Sequence, residues 1–180
     1  SVATHPEHAA VLNSDRPELM CHAITGAEML KPLLERATVL AVGPGLGQSE
    51  WARGLLASVW DSDLPMIVDA DALNLLAQEP MQRNHWILTP HPGEAARLLG
   101  CSAAEVQADR FTAVQALQAR YGGVVVLKGA GTLIADGARC RICTAGNPGM
   151  ASGGMGDVLT GMIAGFMAQG WDPLLCAQFA

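Results

Sequence analysis

The sequence predicts an α/β fold, a doubly wound, mainly parallel sheet with helices on both faces. Three observations predict it. Short apolar runs alternate with helical patterns along the chain, with short connections between them. The runs are almost continuously apolar, as strands covered on both faces must be. Each run is followed by a glycine-rich or polar cluster, and open α/β sheets bind ligands at the carboxyl ends of their strands. The 180 residues, half of them apolar and 16% charged, are enough for one compact domain with a substantial core. There is no internal repeat and no low-complexity linker.

In chain order, residues 1–4 (SVAT) read as the end of a strand, 37–42 (ATVLAV) as the next strand and 50–59 as a helix. Strands at 66–68 and 86–88 are each followed by a helix, at 72–78 and 94–99. One long helix is expected over 103–120, then a strand at 124–127. Strands at 132–135 and 139–143, joined through Asp136-Gly137, suggest a hairpin at one side of the sheet. Trp86 and Cys101 read as core residues. In the last long helix Val158, Leu159, Met162, Ile163, Phe166 and Met167 fall at helical spacing as one buried stripe. Gly161, Gly165 and Ala168 form a second stripe, suited to close packing. Asp172-Pro173 is a cap and first helical position, leading into LLCAQFA. Both ends look cut, so residues 1–180 are expected to be part of a single domain truncated at each end.

The richest stretch is GNPGMASGGMGDVLTGMIAGFMAQG at 146–170, where a glycine-rich loop feeds straight into a helix. The first backbone N–H groups of a helix lack intrahelical partners, and the helix dipole adds partial positive charge there. Gly153, Gly154 and Gly156 leave that backbone bare for an anion, with the Asp157 carboxylate beside it. Taken alone, the glycines serve either phosphate binding or close packing. Upstream clusters shift the balance. They are Gly43-Pro-Gly-Leu-Gly47, Asp69-Ala-Asp71 with Asn74, Thr89-Pro-His-Pro-Gly-Glu94, and Lys128-Gly-Ala-Gly-Thr132. Every one of them falls on the same expected edge of the sheet.

The individual groups keep alternatives open. Gly43, Gly45 and Gly47 bring backbone near a ligand or simply make a strand–helix turn; their spacing is not a dinucleotide fingerprint. Asp69 and Asp71 suit Mg²⁺ through water or a hydroxyl, and Asp71 equally suits a cap for the helix from Ala72. His91 stands between two prolines, so its imidazole projects from a stiff backbone; the other reading is a buried, satisfied histidine. Glu94 suits the dipole of its helix or a metal-bound water. Lys128 ends a buried strand, where an ammonium needs water or an anion, and the amides from Gly129 to Thr132 add donors.

A net charge of −6 with no basic run argues against nucleic acid and anionic membranes as partners. Five cysteines at irregular spacing, with no signal peptide, point to a reducing cytoplasm. Cys140 and Cys143 form a CxxC that lies in a strand and does not open a helix as a redox motif would.

These segments, in order, resemble the ADP/ATP-dependent NAD(P)H-hydrate dehydratases of the ribokinase-like superfamily. The resemblance is carried by VGPGLG at 42–47, VDADALN at 68–74, TPHPGEAARLLG at 89–100, VVLKGAGT at 125–132 and GNPGMASGGMGDVLTG at 146–161. It implies a ribokinase-like fold and a hydro-lyase that restores hydrated NADH or NADPH. The 6-hydroxyl of the hydrate would take a phosphoryl group from ADP or ATP with Mg²⁺, and phosphate would then leave. Carried over by motif, Gly45, Gly47, His91, Asn74 and Asp157 would meet the hydrated dinucleotide. Lys128, Gly129, Ala130, Gly131, Thr132 and Gly156 would hold the adenine nucleotide. Gly154 and Gly156 would form the anion hole, Asp157 would accept the hydroxyl proton, and Glu94 would stand in the outer shell of the metal. Fusion to an epimerase domain and association into a homo-oligomer are further expectations. His91-Pro-Gly-Glu94 and Gly154-Met-Gly-Asp157 differ from the patterns of the superfamily's small-molecule kinases and side with the dehydratases. The rival readings are a kinase for a vitamin-precursor alcohol and a nucleotide-binding module without turnover.

Overall fold

The computed structural model describes residues 1–180, the side chain of residue 15 excepted. The chain falls into two compact units, residues 1–37 with 46–63 and residues 38–45 with 64–180. The first unit holds β1 (Val2–Thr4), α1 (Pro6–Asp15), β2 (Cys21–Ala23), α2 (Ala27–Leu34) and α3 (Glu50–Trp60). β1 and β2 pair in parallel, with Val2 opposite Cys21. The Ser49 hydroxyl accepts from the Ala52 N–H and starts α3. Trp51 then donates its indole N–H to the Ile24 carbonyl at 2.9 Å, and its ring meets His5 edge-on. Of these elements, the sequence pattern shows the strand at the start and α3. It does not show α1, whose Val11 and Leu12 are exposed and mark no buried face.

The second unit is built on a six-stranded sheet. Its strands are β3 (Leu40–Val42), β4 (Met66–Val68), β5 (Trp86–Leu88), β6 (Val124–Leu127), β7 (Leu133–Ala135) and β8 (Cys140–Ile142), lying in that order. β3 to β6 are parallel; β7 and β8 are antiparallel and form the expected hairpin. The helices are α4 (Ala70–Gln78), α5 (Pro92–Leu99), α6 (Ala103–Ala108), α7 (Arg110–Tyr121), α8 (Met155–Ala168) and α9 (Pro173–Phe179). They cover both faces. Ile67, Ile87, Val124, Val126 and Ile134 pack with Ile163 and Met167 of α8 and Leu174, Cys176 and Ala177 of α9. The alternate side chains, Met66, Val68, Trp86, Leu88, Val125 and Leu127, are buried as well. On that face α7 lies against β6 and β7, and Trp86 donates its indole N–H to the Tyr121 carbonyl.

Five details differ from the sequence reading. The helix expected over 103–120 breaks at Asp109, whose non-helical backbone (φ −144°, ψ 83°) ends α6 and whose side chain caps α7 through Thr112. The helix expected from Ala72 begins at Ala70, so its capping position is Asp69 and Asp71 lies in the first turn. On α8 the buried line runs through Thr160, Ile163 and Met167, while Val158 and Met162 are exposed. Gly161 and Gly165 have open space where a Cβ would stand, so that stripe packs against nothing described. Cys101 is exposed because it follows the left-handed Gly100 that ends α5.

Candidate active site

The carboxyl edge of the parallel strands gathers the polar clusters. The hydrogen-bond ladder continues past each strand: the Asp69 N–H reaches the Val42 carbonyl, the Thr89 N–H reaches Val68, and the Lys128 N–H reaches Pro90. Gly43, Asp69 and Thr89 therefore stand side by side, and Lys128 stands beside His91, two residues further along its strand direction. Gly43 is required there, since at φ +123° a Cβ would run into the Asp69 carbonyl.

At the centre is an ion pair between Lys128 Nζ and Asp69 Oδ1 at 2.8 Å, with Glu94 Oε2 3.9 Å from the same ammonium. The Asp69 side chain is 2% exposed and that of Lys128 is 21%. A carboxylate so buried needs its other oxygen satisfied too, and Thr160 of α8 donates its hydroxyl to Asp69 Oδ2 at 2.9 Å. Asp69 thus ties β4, β6 and α8 together. The residue after it, Ala70, takes a left-handed φ of +47° to turn directly from strand into helix. Gly156, at the start of α8, lies over the pair: a Cβ there would stand 3.3 Å from Lys128 Nζ and 3.7 Å from Asp69 Oδ2.

The N-terminus of α8 is open. Gly154 caps it in the left-handed region (φ +86°), and a Cβ at Gly153 or Gly154 would meet nothing within 4 Å. Among the described residues the N–H groups of Gly156 and Asp157 find no backbone acceptor, and the Asp157 side chain is exposed. Bare amides, the helix dipole and a lysine ammonium converge here, an arrangement that attracts a polyanion.

His91 and Glu94 form a reciprocal cap on α5. His91 Nδ1 accepts from the N–H groups of Gly93 (2.9 Å) and Glu94 (3.3 Å), and Glu94 Oε2 accepts from the His91 N–H at 2.7 Å. Nδ1 is therefore the acceptor and Nε2 carries the proton, 3.4 Å from Glu94 Oε1. The histidine is not a core residue, with half its side chain exposed. Gly129 and Gly131 take positive φ values of +147° and +67° in the loop after β6, and the Thr132 hydroxyl closes that loop on the Gly129 carbonyl at 3.0 Å; Ala130 is exposed at its tip.

The structure thus brings Lys128, Gly156, Glu94 and His91 together around Asp69. Gly45 is exposed with open space around it and φ +65°. Gly47 belongs to the first unit, with φ +73°. Asn74 is engaged elsewhere, its Oδ1 accepting from Arg97 Nη1 at 3.1 Å. Two contributors escape the motif reading. Thr160 has a signal in retrospect, a hydroxyl on the buried line of an apolar helix. Arg110 binds the loop after β6 from α7.

In class, this is a ribokinase-like α/β fold: a ribokinase-like superfamily protein from Enterococcus faecalis matches it with a TM-score of 0.84 at 30% identity, over 99% of this chain and 64% of that one. The family model described as NAD(P)H-hydrate dehydratase matches residues 1–180, and the chain belongs to that family. It is 60% identical over 170 residues to the bifunctional NAD(P)H-hydrate repair enzyme Nnr of Coxiella burnetii, covering 94% of this chain and 35% of that protein. The ADP/ATP-dependent NAD(P)H-hydrate dehydratase of Bacillus subtilis, co-crystallised with ATP and Mg²⁺, matches with a TM-score of 0.78 at 31% identity, over 97% of this chain and 64% of that one. The chain spans about a third of the length of the bifunctional relative.

Proposed function

We propose that this chain carries out the nucleotide-dependent dehydration of hydrated NADH or NADPH, by phosphorylating the ring hydroxyl and releasing phosphate. The observation that carries this reading is the open N-terminus of α8 set over the Lys128–Asp69 pair, in a chain of the dehydratase family. Gly154 and Gly156 supply the anion hole for the transferring phosphoryl group. Asp157 accepts the hydroxyl proton as oxygen attacks phosphorus, in a reaction where positioning and charge stabilisation do most of the catalysis. Lys128 to Thr132 and Gly156 hold ADP or ATP. Gly45, His91, Asn74 and Asp157 meet the hydrated dinucleotide, and Asn74 must leave Arg97 to do so.

Mg²⁺ supplies charge neutralisation for the phosphates. Among the described residues no group of three His, Cys, Asp or Glu side chains could hold a metal ion, which suits an ion that arrives with the nucleotide. Both Glu94 oxygens have protein neighbours, His91 and Lys128, which fits an outer-shell role.

No helix among the described residues is long and apolar enough to cross a membrane. All five cysteines are free, in keeping with a reducing cytoplasm. Exposed Val158 and Met162 on α8 and Phe179 on α9 support association of copies. The bifunctional relative supports a companion repair activity, expected as an epimerase.

The test mixes NADPH hydrate with Mg²⁺ and either ADP or ATP and follows recovery of NADPH absorbance. Recovery with release of free phosphate is expected, and the nucleotide that supports it is the donor. A stable phosphorylated product would indicate a kinase instead. Nucleotide binding without any turnover would indicate a binding module.

A further inference from the structure

The loop after β6 is held from behind by a residue with no part in the motifs. Arg110, the first residue of α7, donates Nη1 to the Ala130 carbonyl at 2.6 Å and Nη2 to the carbonyls of Leu127 at 3.1 Å and Lys128 at 3.4 Å. One guanidinium thus gathers three carbonyls of a four-residue stretch. Gly129 faces it so closely that a Cβ would stand 3.0 Å from Nη2.

This clamp has a consequence for the other side of the loop. Among the described residues no peptide bond is cis, and in a trans peptide the N–H points opposite to the C=O. With the Lys128 and Ala130 carbonyls drawn toward α7, the N–H groups of Gly129 and Gly131 are turned away from it. Among the described residues neither N–H has a backbone acceptor. Their positive φ values are what allow both peptides to turn the same way. The break in the helix at Asp109 places Arg110 at the start of α7, next to this loop.

We infer that Arg110 is a positioning residue that presents the Gly129 and Gly131 amides to the phosphates of the bound nucleotide. The inference rests on the reading of this loop as the nucleotide site. Lysine cannot replace it, because a single ammonium lacks the planar fork that spans three acceptors.

The test compares wild type, R110K and R110M for ADP affinity by calorimetry, for the KM of NADPH hydrate at saturating ADP, and for thermal midpoint without ligand. The expected result is a loss of ADP affinity of about tenfold or more in both variants, with the hydrate KM within about twofold and no rescue by lysine. Unchanged ADP affinity in R110K, or a parallel rise in both constants, would overturn the role. Amide NMR of the unaltered protein covers the case in which the variants do not fold. The Gly129 and Gly131 resonances should move on addition of ADP, and a titration in which ADP binds but neither moves refutes the proposal. A wild-type protein that binds no adenine nucleotide would overturn the nucleotide-site reading and this inference together.

Discussion

Gly156 shows how little room the site leaves for a side chain. An alanine there would place its Cβ 3.3 Å from Lys128 Nζ and 3.7 Å from Asp69 Oδ2, so the ammonium must shift. Inside a helix the same change favours folding by up to about 1 kcal/mol. G156A is therefore expected to keep its thermal midpoint within a few degrees while kcat falls by about tenfold or more. A kcat near wild type would mean that the Lys128–Asp69 geometry is not used in turnover. Asp157 differs in kind. It is exposed on the first turn of α8, so D157A should abolish NADPH recovery and leave ADP affinity within a few-fold. Normal turnover in D157A would remove it from the mechanism. Which residues gather at the candidate site was legible where motif and strand end coincide, as at Lys128. The centre of the site was not. Asp69 reads as one of two acids beside a helix start, and its partner Lys128 lies 59 residues away, a pairing that only the sheet brings about.

At the scale of elements, the caps separate structure from binding. The His91 imidazole holds the start of α5 by accepting two N–H groups through Nδ1. H91A should lose about 1 kcal/mol of stability, as N-cap removal typically does, while H91N keeps the cap. If the exposed Nε2 edge meets substrate, both variants raise the hydrate KM but only H91A lowers the denaturation midpoint. A KM restored in H91N would confine His91 to capping. Asp109 gives the cap of α7 a pH signature. The Thr112 backbone N–H at 3.0 Å, and then its hydroxyl, hold the Asp109 carboxyl below its ordinary value of 3.8. A carboxyl depressed in the folded state stabilises it above the unfolded pKa, and that contribution is lost as pH falls through the folded value. Wild type should therefore exceed D109A in thermal midpoint near neutral pH and converge on it in acid below about pH 3.8. A difference that persists unchanged into acid would deny the carboxylate that role. The helix break at Asp109 escaped the sequence reading because the apolar spacing runs through it; only the Asp-x-x-Thr spacing hints at a new cap.

Across the whole molecule, legibility follows burial. The expected bounds of the strands at 66–68, 86–88 and 124–127 match β4, β5 and β6, all buried on both faces and so unbroken in their apolar runs. Residues 5–36 carried no comparable pattern, and α1, β2 and α2 came only with the structure. On α8 a uniformly apolar composition concealed which side is inward, which is why Val158 and Met162 were expected inside.

The sheet's change from parallel to antiparallel at β6 also orders events in time. β6 pairs with β7, and β7 with β8, only a few residues along the chain, as Leu127 does with Leu133, and Arg110 reaches their first loop from 17 to 20 residues away. The bonds of Asp69 instead close 59 residues to Lys128 and 91 to Thr160. Contacts of short span form early and those of long span late, so the loop after β6 should be in place in the transition state for folding before Asp69 is. D69N should then lower stability by about 2 kcal/mol, less than a fully buried pair would lose because Lys128 keeps some water and Glu94 beside it. Nearly all of that loss should appear as faster unfolding, with the refolding rate little changed. A stopped-flow chevron in which refolding slows instead would place Asp69 in the nucleus. The ion pair at the centre of the site is thus the part that folding completes last.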